Sequence, residues 1–296
     1  MRTYLEGFFK DFVYSEKDTR ELLRAYDAIV ADDVAREEWE SVLSCYETNM
    51  QCDIPSLRER AEALAPRVRL HPYTLKLLLF LCMTRQALVY YRERGLSDDL
   101  WRDTMMDLRY KLEECREVWG ICGTFVATWF DGFFLLDRFT LGRLQFELRE
   151  FKHTYEKGGV TLMEHSPVIN VHIPRTGTPL DPASCDAAFA QAAKFYEKAF
   201  EGAPVAFICH SWLLYPANEQ LLSPSSNVYA FMKRFDVLES GDYGEDHPDL
   251  WRLFDRPYTG DVNRLPYDSS MRRAYVDHIR AGGKSGWGFG VYLYRK

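Results

Sequence analysis

The sequence predicts an α+β protein in which an N-terminal helical bundle precedes a mixed β-sheet with flanking helices, and three observations predict it. From residue 15 to about 139 apolar positions recur at three- and four-residue steps, the period of a helix. At Leu141-Gly142 that period changes, and Arg143 to Phe151 alternates, with Leu144, Phe146 and Leu148 on one face and Gln145, Glu147 and Arg149 on the other. Between Val168 and Leu214 the chain writes a complete strand, loop, helix, strand unit: VINVHIP, RTGTPLDP, ASCDAAFAQAAKFYEKAF and APVAFICHSWLL. Two such strands joined through a helix form a parallel pair with a right-handed crossover. The expected domains are therefore 1–140, helical, and 141–296, α+β.

In the first half, helices are expected over roughly 15–30, 32–48, 55–65, 72–94, 98–117 and 120–139, with Pro55, Pro66, His71-Pro72 and Gly95 as punctuation. Ser15 with Asp18, and Ser56 with Glu59, read as capping boxes, and Ser97-Asp98-Asp99 places a cap and acids in a first turn. No fixed-period repeat stands out, so an irregular bundle is expected over a solenoid. The aromatic run Thr124 to Phe139 should be buried on most sides and join the domains. In the second half, Arg143–Phe151, a Lys157-Gly158-Gly159 turn and Val160–Glu164 read as a hairpin. Strands follow at Val168–Pro174 and Pro204–Leu214, separated by a helix with Asp181 as cap and Pro182 at its first position. A short helix over Ser226–Phe235 runs into a strand from Asp236. Asp268 or Ser269 caps SMRRAYVDHIRA, and Gly288–Tyr294 closes the sheet.

Composition excludes several classes. The chain has 296 residues, 47% of them apolar, enough for sizeable cores and for two domains. Residues 1–140 carry a net charge of −6 and the remainder −1. Neither half offers the basic face that a phosphate backbone requires, so no nucleic-acid partner is expected. Seven cysteines without CxxC spacing read as small hydrophobes in a reducing compartment. MRTYLEGFFKDF lacks the apolar core and small-residue cleavage site expected of a signal peptide, and the most apolar window, Leu75–Met83, is too short to cross a bilayer. The expected location is the cytoplasm, with no membrane partner. The histidines at 71, 153, 165, 172, 210, 247 and 278 show no ligand spacing and there is no HExxH, so no metal site is expected.

The loop Arg175-Thr176-Gly177-Thr178-Pro179-Leu180-Asp181 is the place to look for function. Ligands bind at the carboxyl ends of the strands of such a unit. Arg175, Thr176, Gly177 and Thr178 can offer a charge, hydroxyls and a close backbone approach to a phosphate. Against this, Pro179 removes one amide donor and Asp181 places a carboxylate where the helix offers its own. Side-chain alternation puts Asn170 and His172 on one face of their strand, and Ala206, Ile208, His210 and Trp212 on one face of the next. His172 and His210 thus lie near the carboxyl ends of neighbouring strands. Cys209 and His210 point to opposite faces, which argues against a thiol nucleophile with an adjacent base. The late glycines around Lys284 and Trp287 read as a helix stop and a twisted strand rather than a ligand cradle.

The strings RLQFELREF, NVHIPRTGTPLD, CHSWLL and GWGFGVYLY, with NVYAFMKRFDVLESGDY, resemble a bacterial family with a helical N-terminal acyltransferase domain and a GNAT-like C-terminal domain. The resemblance covers nearly the whole chain and implies a GNAT-like sheet with the pyrophosphate of acyl-coenzyme A at the RTG loop. It implies an N-acyltransferase with two small-molecule partners, an acyl-CoA co-substrate and an amine acceptor. Acyl transfer to an amine needs a base and a proton donor for the departing thiolate. His172, His210 or Glu147 can serve as the base, and Tyr229, by its position in the resemblance, as the donor. The departures in the loop leave a second reading, a catalytically inactive GNAT-like sheet that serves as a ligand-binding or regulatory module.

Overall fold

The computed structural model describes residues 1–294, and the chain divides into two compact units, Met1–Phe139 and Thr140–Lys296. In the first unit the helices are α1 (Arg2–Asp11), α2 (Glu16–Val30), α3 (Asp33–Thr48), α4 (Ile54–Ala63), α5 (Pro72–Glu93) and α6 (Asp98–Trp119). α5 is buried without a break from Leu77 to Thr84, so it is the central helix on which α1, α2, α3, α4 and α6 pack. Ser15 and Ser97 cap α2 and α6 by accepting from the Asp18 and Leu100 amides. α4 is capped not by Ser56 but by Asp53, which accepts from the Ser56 amide. No described helix is long and apolar enough to cross a membrane, and all seven cysteines are free.

One helix of this unit was not expected, and one expected helix does not form. MRTYLEGFFKDF, read only as lacking a leader, forms α1, whose Leu5, Phe8 and Phe9 are buried. The helix expected over 120–139 does not form. Gly120 ends α6 in the left-handed conformation, and the Thr124 amide donates to Tyr73 O while the Thr74 hydroxyl donates to Cys122 O. The chain is thus pinned to the start of α5 and resumes as two single turns, Ala127–Phe130 and Asp131–Phe134. Phe130, Phe133 and Phe134 are buried, as the aromatic run requires.

The second unit is a six-stranded mixed sheet in the order β1 (Arg138–Leu141), β2 (Leu144–Glu150), β5 (Pro167–His172), β6 (Ala206–Ser211), β8 (Gly286–Leu293), β7 (Asp236–Asp242). The hairpin is a separate two-stranded sheet, β3 (Tyr155–Lys157) with β4 (Val160–Leu162). β2, expected to be its first strand, instead pairs antiparallel with β5 over Gln145↔His172 to Glu150↔Pro167. The crossover unit is as expected: β5, helix α7 (Pro182–Phe195) and parallel β6. Among the helices that follow are α8 (Asn227–Met232) and α9 (Ser270–Arg280), the latter capped by Ser269.

Side-chain alternation assigns the two faces of this sheet different jobs. On one face Phe146, Phe207 and Tyr292 meet Phe189 of α7 at ring separations of 6.0, 4.8 and 5.1 Å, and Phe231 and Phe235 close the cluster. Each such ring contributes about 1.5–3 kcal/mol by burial, enough to seat α7 and α8 firmly. On the opposite face the hairpin packs Tyr155 and Leu162 onto Val168, Ala206, Ile208 and Val291. Asn170, His172 and Glu147 share that second face farther along β5 and β2, beyond the residues the hairpin covers.

The β8 glycines answer to close packing. A Cβ at Gly288 would stand 2.2 Å from Leu214 O, because the turn after β6 crosses directly over the strand. We expect Gly288→Ala to cost about 1–3 kcal/mol of overpacking in urea unfolding, whereas Gly177→Ala, strained only by its φ of +74°, should cost about 1 kcal/mol. His247 is buried, accepts the Ser285 amide at Nδ1 (3.2 Å) and lies 2.9 Å from Ser285 Oγ, fastening the approach to β8. Burial first, and then the charge of His278, hold its pKa below the ordinary histidine value. The unfolded chain therefore takes up a proton that the folded chain refuses. Its stabilisation is present above about pH 6.5 and is lost as pH falls toward the folded value, by at most about 1.4 kcal/mol per unit. Urea unfolding at pH 7.5 and 5.5 should show this loss, and His247→Gln should show less of it.

Candidate active site

β5 and β6 pair at only two positions, Ile169↔Phe207 and Asn170↔Ile208. β5 runs on to His172 and β6 to Ser211, and each keeps its other partner over six pairs, β2 and β8 respectively. The ladder between the two strands therefore stops short of their carboxyl ends. At the end of β5 stands a polar cluster. Glu147 is 3% exposed. Its Oε1 accepts from Asn170 Nδ2 at 2.8 Å and lies 2.9 Å from His172 Nε2, while Oε2 accepts from Arg149 Nη2 at 2.7 Å. Register explains the meeting: Glu147 is directly opposite Asn170, and His172 is one pleat farther on the same face.

A buried carboxylate is tolerated only when its oxygens are occupied by donors, and here three side chains supply them. With Oε1 accepting, Nε2 of His172 carries its proton. The 3.2 Å approach of Asn170 Nδ2 to that nitrogen is then two donors meeting on one oxygen. Such a contact orients the imidazole, and orientation is what a general base requires.

The other expected residues lie apart from this cluster. His210 shares the face of His172 on the adjacent strand, but it is exposed and its ring packs against Trp287, 4.7 Å between centroids. Tyr229 is half-buried in the first turn of α8, with the Lys233 ammonium 5.9 Å from its ring centre. Cys209 is buried and its thiol is pushed up to about 12, which leaves it a poor nucleophile. Among the described residues no group of three or more side chains could hold a metal ion.

The RTG loop is fully described. Arg175 Nη1 donates to Asp255 Oδ1 at 2.6 Å, and Asp255 also accepts from Arg272. The hydroxyls of Thr176 and Thr178 bond to each other at 2.7 Å. Asp181 Oδ1 accepts from the Ser184 amide at 2.9 Å and Oδ2 from the Ser184 hydroxyl at 2.7 Å, and these bonds hold its carboxyl below the ordinary aspartate value. The N-terminus of α7 is thus closed by its own cap, and any anion at this loop must be met by the loop itself. Sequence reasoning missed Arg143, whose guanidinium donates to three loop carbonyls, Pro174 O, Pro179 O and Thr178 O, at 2.9, 3.1 and 3.2 Å. Its position just after Gly142, at the start of an alternating strand, was legible, but a partner 31 to 36 residues away was not.

Comparison with known proteins agrees with this architecture. Residues 3–135 match the N-acyltransferase N-terminal domain, and residues 138–292 match the GNAT-like C-terminal domain. The chain belongs to this two-domain acyltransferase family. Among solved structures it is similar to an acyltransferase mutant in complex with octanoyl-CoA, at TM-score 0.75 and 21% identity over 98% of this chain and 87% of that one. An acyltransferase in complex with decanoyl-CoA and teicoplanin gives TM-score 0.73 and 20% identity, again over 98% and 87%. An acyltransferase in complex with decanoyl-CoA gives 0.63 and 25% identity over 78% and 67%. No curated protein sequence matches.

The Glu147 cluster makes a graded prediction. Glu147→Gln leaves buried donors facing an amide and should cost about 2–4 kcal/mol in urea unfolding. Asn170→Ala should cost about 1 kcal/mol. Arg149→Ala, which removes a partner 45% exposed, should cost less than about 1 kcal/mol.

Proposed function

We propose that the chain is an acyl-CoA-dependent N-acyltransferase that moves an acyl group from coenzyme A to an amine. The observation that carries this reading is the Glu147–His172 pair at the point where the ladder between β5 and β6 stops. An extended thioester arm lying between the two strands, its amides facing the strand edges that have lost their ladder partners, would bring its carbonyl to His172. Acyl-CoA bound in acyltransferases of similar fold supports the same substrate here.

In the reaction, the acceptor nitrogen attacks the thioester carbonyl, a C–N bond forms and the C–S bond breaks. The proton lost by nitrogen passes to the His172 imidazole, and Glu147 stabilises the imidazolium that results. The departing thiolate takes a proton from the Tyr229 hydroxyl or from the imidazolium. His210, packed against Trp287, is assigned to binding or an alternative base. Arg175, Thr176, Gly177 and Thr178 are assigned to the pyrophosphate. For that role Arg175 must leave Asp255 or share it with the phosphate. This pairing, together with the capped end of α7, is the observation that favours the second reading, a GNAT-like module that binds a ligand without catalysis.

Calorimetry with decanoyl-CoA tests substrate binding, and acyl transfer from it to a panel of amines tests catalysis. Binding is expected, with His172→Ala lowering the transfer rate about 10²–10⁴-fold while leaving binding within about threefold. Binding without transfer to any amine would select the inactive module, and no binding would end the acyl-CoA reading.

A further inference from the structure

We infer that Arg143 is the residue that shapes the RTG loop for nucleotide binding, a positioning residue that acts on the acyl-CoA pyrophosphate through the backbone. The inference rests on the proposed use of that loop as the acyl-CoA site.

The loop has little of its own to hold its shape. Its one glycine, Gly177, stands at φ +74° with nothing within 4 Å of a Cβ position, and its hydroxyls bond only across two residues. Pro179 has no amide to contribute. The Arg143 guanidinium ties the two limbs of the loop together. Arg143 bonds Pro174 O on the incoming limb and Thr178 O and Pro179 O on the outgoing limb, all within 3.2 Å. A planar fork with five donors suits that task, because one side chain can satisfy carbonyls on both sides of a turn at once.

The consequence for ligand binding follows from peptide planarity. A trans peptide points its N–H opposite to its C=O. Carbonyls of Pro174 and Pro179 drawn toward Arg143 therefore direct the amides of Arg175 and Leu180 away from it. Arg143 thus holds acceptors toward itself and leaves the amides of Arg175 and Leu180 directed outward, in a loop whose helix end is already capped. Carbonyls turned toward the ligand side would repel an anion, so holding them against Arg143 is what makes the loop competent. Because Arg143 leads into β2, whose Glu147 holds His172, one strand positions both the base and the phosphate loop.

The test uses the full chain and two variants, Arg143→Lys and Arg143→Gln, with decanoyl-CoA titrated calorimetrically and backbone amide hydrogen exchange read on the free proteins. Arg143→Gln should weaken decanoyl-CoA binding about tenfold or more, with Arg143→Lys intermediate. Faster exchange should be confined to residues 174–180 and leave β5 and β6 as protected as in the parent. Unaltered binding by Arg143→Gln overturns the inference, as does loss of protection across the sheet, which would make Arg143 a general stabiliser. If the parent chain binds no decanoyl-CoA, the acyl-CoA reading fails first. The exchange data then still show whether Arg143 sets the loop, and unchanged exchange at 174–180 overturns that part as well.

Discussion

The two-pair ladder between β5 and β6 is the constraint on which the site depends. Parallel neighbours of this length would ordinarily zip to their ends, and here they stop at Asn170 and Ile208. Each strand is held from outside. β5 is bonded along its length to β2, and β6 to β8, so neither strand can swing to close the gap without breaking six pairs on its far side. The aromatic cluster around Phe189 ties the other face of all these strands to α7, which resists the same motion. A rigid sheet thus presents unpaired strand edges beside a histidine, and that is a place where an extended ligand can take up the missing hydrogen bonds.

Electrostatics fit the same frame. Glu147 would be an expensive residue to bury alone, and its three donors make it affordable. One of those donors is the imidazole, so the group that stabilises the sheet locally is also the group that sets the histidine's orientation. Stability and chemistry are coupled at this point, which is why substitutions there should be felt in both. Farther along the sheet, the His247 to Ser285 contact and the tight crossing of Leu214 over Gly288 fix where β8 runs, and with it Trp287 beneath His210.

Much of this was legible in the sequence because it is local. The 3.6-residue period, the caps Ser15, Ser97 and Asp181, the alternation of Arg143 to Phe151 and the crossover unit each need only a short window. The face shared by Asn170 and His172 follows from alternation as well. What could not be read depends on partners far apart in the chain. β2 alternates in the same way whether it pairs with β4 or with β5, so the hairpin was assigned the wrong first strand. The aromatic run after Gly120 has helical composition, but its hydrogen bonds go to Tyr73 and Thr74, nearly fifty residues earlier. Arg175 reads as a charge available to a phosphate until Asp255 is seen against it, and Arg143 reads only as the start of an alternating strand until the loop carbonyls are seen around it.

The central claim is that the gap between β5 and β6 receives the thioester of acyl-CoA beside the Glu147–His172 pair. A crystal structure of the full chain with a non-hydrolysable decanoyl-CoA thioether tests it most directly. The account predicts the pantetheine arm between the two strands, the sulfur position within reach of His172 and the pyrophosphate against residues 175–178. A ligand bound elsewhere on the molecule, with β5 and β6 spaced as they are now and the gap empty, would contradict it.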